Sequence, residues 1–173
     1  MPDSLEELRE NISKCTLCPR LVASRNKVAL PFGSQNAFIA FIGEAPSQVG
    51  GNLSGRCFTP TSKTGGFILD IIQMANISLS NCYFTNTCFC SPPNNKKPFV
   101  SEIKNCLHFK GREFDLLKPK VIVLVGDVAK TYFRSPDKKI IFMKHPSYIT
   151  RKYDKKFVAN YKAEIADAIR RSL

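Results

Sequence analysis

The chain has 173 residues, 43% hydrophobic and 23% charged, which excludes a disordered or collagen-like polymer and fits one globular domain with a substantial core. Lys and Arg number 26 against 14 acids, a net charge of +12 that favours an anionic partner such as nucleic acid without naming one. No stretch approaches the roughly 20 apolar residues that span a bilayer, and the acidic, polar start "MPDSLEELRENISKC" lacks a signal-peptide core, so a soluble, cytoplasmic protein with no membrane partner is expected.

Ser4 to Ser13 reads as a short helix, with Ser4 and Glu7 as a capping-box pair and Leu5, Leu8 and Ile12 on one face. It leads into "CTLCPR". "AFIAFIGEAP" is a continuous apolar run, the pattern of a strand buried on both faces, and it delivers a loop after Gly43. From Glu44 to Gly66 that loop holds five glycines and two prolines, more than a simple connector needs. "FILDIIQMA" has helical spacing and "NCYFTNTCF" is a second strand, ending at the turn-rich "CSPPNNKKP". A helix is expected from Ser101 to Leu117, then a third buried strand in "KPKVIVLVG", a shorter fourth in "KKIIFMKHP", and a last helix from about Phe157 to Leu173. Strands alternating with helices imply a single-domain, three-layer α/β/α fold around a mainly parallel sheet of about four strands, with ligands beyond the strands' carboxyl ends. Gly43 to Pro46, Thr85 to Asn86 and His145 to Ser147 occupy such ends.

Seven cysteines without a secretory signal are a poor disulfide framework, and their odd number argues the same way, so metal ligation is the better reading. Cys15 and Cys18 form a C-x2-C pair among polar neighbours; Cys90 and Cys106 lie far downstream with fifteen residues between them. Four thiolates suit zinc or a 4Fe-4S cluster equally at this point. Cys82 and Cys88, in a strand, fit the ordinary role of small buried apolar residues. "GEAPSQVGG" resembles a phosphate-cradling turn, but neither G-x-x-x-x-G-K-[ST] nor G-x-G-x-x-G is present, which weakens nucleotide hydrolysis and dinucleotide binding.

Taken together, "GEAP" after the first strand, a downstream G-x-x-F, "TN" on the next strand, then "CSPPN" and "HPSYITR" resemble the uracil-DNA glycosylase superfamily, most closely its iron–sulfur family 4. The resemblance runs from Cys15 to about Arg151 with the motifs in family order. It implies a monomeric DNA-binding enzyme that hydrolyses the N-glycosidic bond of a base flipped from DNA, and it makes Cys15, Cys18, Cys90 and Cys106 the ligands of a 4Fe-4S cluster, ahead of zinc. It also implies that Phe58 stacks on the flipped base, Asn86 reads a pyrimidine edge, and His145 donates an imidazole N–H to the departing base. Gly43, Glu44 and Ala45 would surround the base and attacking water; Pro146 and Ser147 would pinch a phosphate; Tyr148 to Arg151 would fill the vacated stack; Lys144, Arg151 and Lys152 would neutralise phosphates. Taken singly, Phe58 also reads as a core ring, Asn86 as a turn residue and "KHPSYITRK" as a basic surface turn.

The chain departs from the family in two places. Ala45 stands where the best-known branch has a water-orienting carboxylate, leaving Glu44 as the nearest one. After "GEAP", Ser47 replaces a glycine, an acidic stretch is missing, Cys57 replaces a proline, and the loop after Phe58 is about two residues longer, with Thr59, Thr61, Ser62 and Thr64. A hydroxyl-lined pocket of that kind would admit a hydroxymethylated or glucosylated pyrimidine, with a role in DNA modification or phage defence; uracil ranks first. "PPNNKKP" carries no histidine, which argues against covalent trapping of DNA. Two rival readings are a catalytically silent DNA-binding module and a zinc-stabilised nucleotide-binding protein.

Overall fold

A computed structural model describes residues 4–173. Its strands are β1 (Phe32–Gly33), β2 (Ile39–Gly43), β3 (Cys82–Asn86), β4 (Val121–Val125) and β5 (Lys139–Met143), joined in one sheet in the order β1-β3-β2-β4-β5. The four longer strands run parallel, and β1 pairs antiparallel with β3 at the edge. The sheet therefore has five strands where about four were expected. The extra one is two residues long, too short for any periodic signal. It depends on Gly33, whose φ of +128° and close approach to β3 suit no other residue: a Cβ there would lie 2.4 Å from the Cys82 carbonyl oxygen.

Every residue of β2, β3 and β4 is buried, which explains the unbroken apolar runs of β2 and β4, while β3 ends in buried polar Thr85 and Asn86. Alternation sorts the side chains, Ile39, Phe41, Val121 and Val123 to one face and Ala40, Ile42, Ile122 and Leu124 to the other. The helices are α1 (Leu5–Ser13), α2 (Pro19–Ser24), α3 (Gly51–Ser54), α4 (Lys63–Met74), α5 (Val100–Leu117), α6 (Asp127–Tyr132), α7 (Pro146–Lys152) and α8 (Lys155–Arg170). On the first face α4, α7 and α8 cover the sheet; on the second, α1, α5 and α6 do, which gives the three layers. Ser4 caps α1 by accepting from the Glu7 N–H at 3.1 Å, Ser62 caps α4 through the Gly65 N–H at 3.0 Å, and Asp154 caps α8 through the Phe157 N–H at 2.8 Å.

The segment after His145, expected as a turn, is a helix. Pro146 at its first position has φ preset for a helix, and His145 caps it. None of the helices among the described residues is long and apolar enough to cross a membrane.

One polar cluster is buried between α5 and the sheet. Lys110 donates to Thr85 Oγ1 and to Glu113 Oε2, the latter at 2.5 Å, and Glu113 Oε2 also accepts from Thr85 at 3.2 Å. Lys110 also lies 4.2 Å from the Phe89 ring centroid. Burial raises the Tyr83 phenol above its ordinary range, so the hydroxyl stays neutral beside this pair. Thr85 directly precedes Asn86, so the cluster anchors the end of β3.

β2 is the switch point of the sheet, because the chain leaves it first for β3 on one side and later reaches β4 on the other. The crevice beyond its carboxyl end is where an open α/β sheet presents ligands.

Candidate active site

The crevice is built on a bare strand end. Gly43 closes β2 opposite Asn86 at the close of β3. A Cβ on Gly43 would fall 2.5 Å from Asn86 Oδ1 and 2.7 Å from Phe58 Cζ. Only glycine lets the ring and the carboxamide meet over the strand end. The join is fixed by main-chain bonds that continue past the sheet, from the Thr87 N–H to the Gly43 carbonyl at 2.7 Å and from the Cys88 N–H to the Glu44 carbonyl at 2.8 Å. Asn86 is buried, and among the described residues its carboxamide makes no hydrogen bond, leaving a donor and an acceptor for a ligand.

Phe58 is half-buried with φ +50°, a left-handed conformation that is uncommon for an aromatic residue. Such strain persists where the surroundings over-determine it, and it marks functional positions more often than others. Phe58 packs at 6.2 Å and 58° against Phe84 of β3 and presents its ring over Gly43. The preceding Cys57 holds the turn from below: it is fully buried, donates to the Ala29 carbonyl at 3.3 Å, and burial pushes its thiol far above the ordinary range. Beyond Phe58, the Ser62 hydroxyl donates to the Thr59 carbonyl at 2.7 Å and folds the loop back onto α4. A cavity of about 680 Å³ opens here, bounded by Gly43, Ala45, Phe58, Asn86 and His145. Thr59, Thr61, Ser62 and Thr64 form part of its wall, so the lengthened loop faces the cavity.

His145 arrives from β5. The Ser147 N–H donates to its Nδ1 at 3.3 Å, and the Ser147 hydroxyl lies 2.7 Å from the same atom. A backbone N–H can only donate, so Nδ1 is the acceptor and a neutral ring carries its proton on Nε2. Burial, and secondarily the nearby Arg151 charge, hold the imidazole below its ordinary pKa of 6.5. At neutral pH His145 is thus an uncharged ring with one N–H to offer.

Glu44 is half-buried on the same cavity, and desolvation raises its carboxyl above the usual range, with Lys97 opposing and Asp127 adding to the effect. Pro146 is buried at the start of α7, Ser147 and Arg151 line the cavity, and Tyr148 is exposed at its rim. Lys144 stands outside, 3.3 Å from Asp127. Gly43, Glu44, Ala45, Phe58, Asn86, His145, Ser147 and Arg151 therefore line one cavity and Tyr148 borders the adjoining cleft, whereas Lys144, Pro146 and Lys152 line neither. Sequence reasoning missed the opposite rim. Asn95, Lys96 and Lys97 border the adjoining cleft, and Asn94 and Asn95 turn the loop with φ of 54° and 53°. Paired asparagines followed by lysines in a proline-bounded loop were the available signal.

The cysteines gather away from this crevice. Arg25 donates to the Cys15 carbonyl at 2.9 Å and to Cys90 Sγ at 3.1 Å. Asn105 donates to the Leu17 carbonyl at 3.3 Å and to Cys18 Sγ at 3.4 Å, beside Cys106 on α5. Cys18 and Cys90 both feel the charge of Cys15 and Cys106, so the four thiols share one corner. Burial raises Cys18 and Cys90, whereas Cys106, drawing on a hydrogen bond from Cys88, is pulled down to about 7. Among the described residues no three His, Cys, Asp or Glu side chains are set to hold a single metal ion. The donor chemistry nevertheless fits a thiolate-bound group: two sulfurs from the loop after α1, one from the exit of β3 and one from α5, with a guanidinium and an amide pointed at them and Cys88 against Cys106 in the same corner. Cys82 lies apart, its thiol pushed up to about 12 by burial.

Comparison with known proteins agrees with this geometry. Residues 30–170 match the family model described as the uracil DNA glycosylase superfamily. The Type-4 uracil-DNA glycosylase of Thermotoga maritima is 29% identical over 164 residues, covering 85% of this chain and 83% of that protein. The Type-4 uracil-DNA glycosylase of Sulfurisphaera tokodaii is 30% identical over 161 residues, covering 92% of this chain and 69% of the relative. A Type-5 uracil-DNA glycosylase from Thermus thermophilus is 31% identical, covering 72% and 69% respectively. With a matching model over most of its length and its motif residues gathered at the ends of β2, β3 and β5, the chain belongs to the uracil DNA glycosylase superfamily.

Proposed function

We propose that this chain is a monofunctional DNA glycosylase that hydrolyses the N-glycosidic bond of uracil, or of a related modified pyrimidine, flipped out of DNA, and leaves an abasic site. The observation that carries this reading is the meeting of the Phe58 ring, the unbonded Asn86 carboxamide and the His145 imidazole around one cavity. An extruded base stacks on Phe58 while Asn86 donates to and accepts from its pairing edge. As the bond to C1′ breaks, electrons move onto the base, and the His145 Nε2–H stabilises the charge developing at the pyrimidine O2. The base leaves as its anion, and water adds to C1′ of an oxocarbenium-like sugar and gives up a proton to solvent, by analogy with other glycoside cleavage. Glu44 is the carboxylate nearest that step; with Ala45 beside it, the chemistry depends chiefly on stabilising the leaving base. Pro146, Ser147, Arg151 and Lys144 are assigned to the DNA backbone, and Tyr148 to the gap left by the base.

A second reading concerns the base. The wall of Thr59, Thr61, Ser62 and Thr64 faces the cavity; Thr59 and Ser62 engage their hydroxyls within the loop, and those of Thr61 and Thr64 would meet a polar substituent such as the hydroxymethyl or glucosyl group of a modified pyrimidine in foreign DNA. Uracil stays first because the roles given to Asn86, Phe58 and His145 need no substituent on the pyrimidine ring.

Cys15, Cys18, Cys90 and Cys106 are proposed to hold a 4Fe-4S cluster, with zinc the less suitable occupant. The group would supply a cross-link between the loop after α1, the exit of β3 and α5, apart from the chemistry.

Three outcomes are expected. Wild-type protein should make a uracil-containing oligonucleotide alkali-labile at the uracil, while His145→Ala loses base release and Asn86→Ala loses about a hundredfold or more. Release of a hydroxymethylated or glucosylated pyrimidine but not uracil would install the second reading, and full activity in both variants would refute the assignment. At saturating DNA, the rate should hold from neutral pH downward until below about 6.5, then fall as His145 protonates. Arg151→Gln removes a positive neighbour, makes protonation easier and moves that limb to higher pH; a limb that moves only with Glu44→Gln belongs to the carboxylate. Protein purified without oxygen should be brown with broad visible absorption, lost in Cys15→Ser and Cys90→Ser and kept in Cys82→Ala, whereas a colourless protein with stoichiometric zinc contradicts the cluster.

A further inference from the structure

Four rings form a ladder beside the candidate active site. Tyr148 on α7 meets Tyr153 edge-on, with centroids 6.5 Å apart at 73°. Tyr153 stacks on Phe157 of α8 at 3.9 Å and 18°, and Phe157 lies nearly parallel to Tyr161 at 6.4 Å and 9°. The ladder is tied to the catalytic segment at both ends. Tyr148 is three residues beyond His145, and the Tyr161 hydroxyl accepts from the Lys144 N–H at 2.7 Å. It is not merely core: Tyr148 is 41% and Phe157 42% exposed.

Its surroundings are cationic. Lys152 donates to the Tyr148 hydroxyl at 2.8 Å and lies 5.2 Å and 5.4 Å from the Tyr148 and Tyr153 centroids. Arg151, Lys155 and Lys156 are exposed on the same stretch. Of the nearby acids, Asp154 is engaged as the cap of α8 and Asp70 by Lys162 at 2.5 Å, while Glu164 is exposed beside Tyr161 at the far end of the ladder. Behind Tyr153 a cavity of about 360 Å³, floored by Met74 and Val158 and edged by Lys155 and Lys162, widens the platform.

We infer that the Tyr153–Phe157 pair and its lysines, lying beyond Tyr148, bind unpaired DNA flanking the target nucleotide, so that the enzyme binds single strands in preference to duplex. The exposed part of the Phe157 ring, stacked on half-buried Tyr153 in a basic stripe, offers a base a stacking contact and its phosphate a countercharge without reading sequence. A duplex cannot use that face, because its bases are already stacked on each other. The inference rests on the glycosylase reading for its continuity with the active site, but its test does not need base release.

The experiment is fluorescence anisotropy with a labelled, uracil-free oligothymidine and a matched duplex, using wild type, Phe157→Leu and Phe157→Trp. Wild type should bind the single strand more tightly than the duplex. Phe157→Leu should weaken single-strand binding about tenfold with little change for the duplex, and Phe157→Trp should retain it. Single-strand binding unaffected by Phe157→Leu, or an equal loss for both forms, overturns the inference. Base release assayed in parallel separates the two claims: ladder-dependent binding without release from any substrate defeats the glycosylase reading alone, and release with an indifferent ladder defeats this one alone.

Discussion

The site depends on a missing Cβ. Gly43 ends the central strand with nothing above its backbone, and into that space come the edge of the Phe58 ring and the Asn86 carboxamide, each nearer than any other side chain at this position would allow. Much of the local structure serves this meeting. The parallel register sets Gly43 against Asn86, the main-chain bonds from Thr87 and Cys88 extend it, and Phe58 is held in a left-handed conformation above it. Buried Lys110, Glu113 and Thr85 fix β3 from the opposite face of the sheet. A buried ion pair of this kind adds little net stability against an apolar substitute, but it penalises any packing that separates its partners.

Electrostatics supplies the second half of the design. The chain is strongly basic, yet its central histidine is kept neutral by burial and by Arg151, with Ser147 fixing the tautomer. A positively charged ring would be costly to maintain in a buried site among cations, and a proton on Nδ1 would break the bond from the Ser147 N–H that orients it. A preorganised neutral donor needs no reorganisation as charge develops.

The buried strands were legible in the sequence because their runs are mostly apolar, and the longer helices because of their length and apolar spacing, their caps at Ser62 and Asp154 emerging only in the structure. β1 was hidden because two residues carry no period, and α7 because "HPS" is also good turn chemistry; the helix follows from Pro146 and the His145 cap together. At the site, the identities of Gly43, Phe58, Asn86 and His145 could be taken from motif order, but not the reason for Gly43, which is a contact between residues far apart in sequence. Nor could spacing tell whether the longer loop after Phe58 faced the cavity or the solvent. That depended on the Ser62 hydroxyl turning back to the Thr59 carbonyl. The rim of Asn95, Lys96 and Lys97 was overlooked because its turn residues looked like an ordinary connector.

Steady-state base release by Gly43→Ala tests the account most directly. The atoms a new methyl would strike are the tips of two side chains, so the fold and the affinity for DNA should survive while Phe58 and Asn86 are displaced from the base. The account predicts a thermal midpoint and DNA binding close to wild type with kcat reduced by about two orders of magnitude, the scale of losing a positioned catalytic contact. A variant that folds and releases base at the wild-type rate would contradict it.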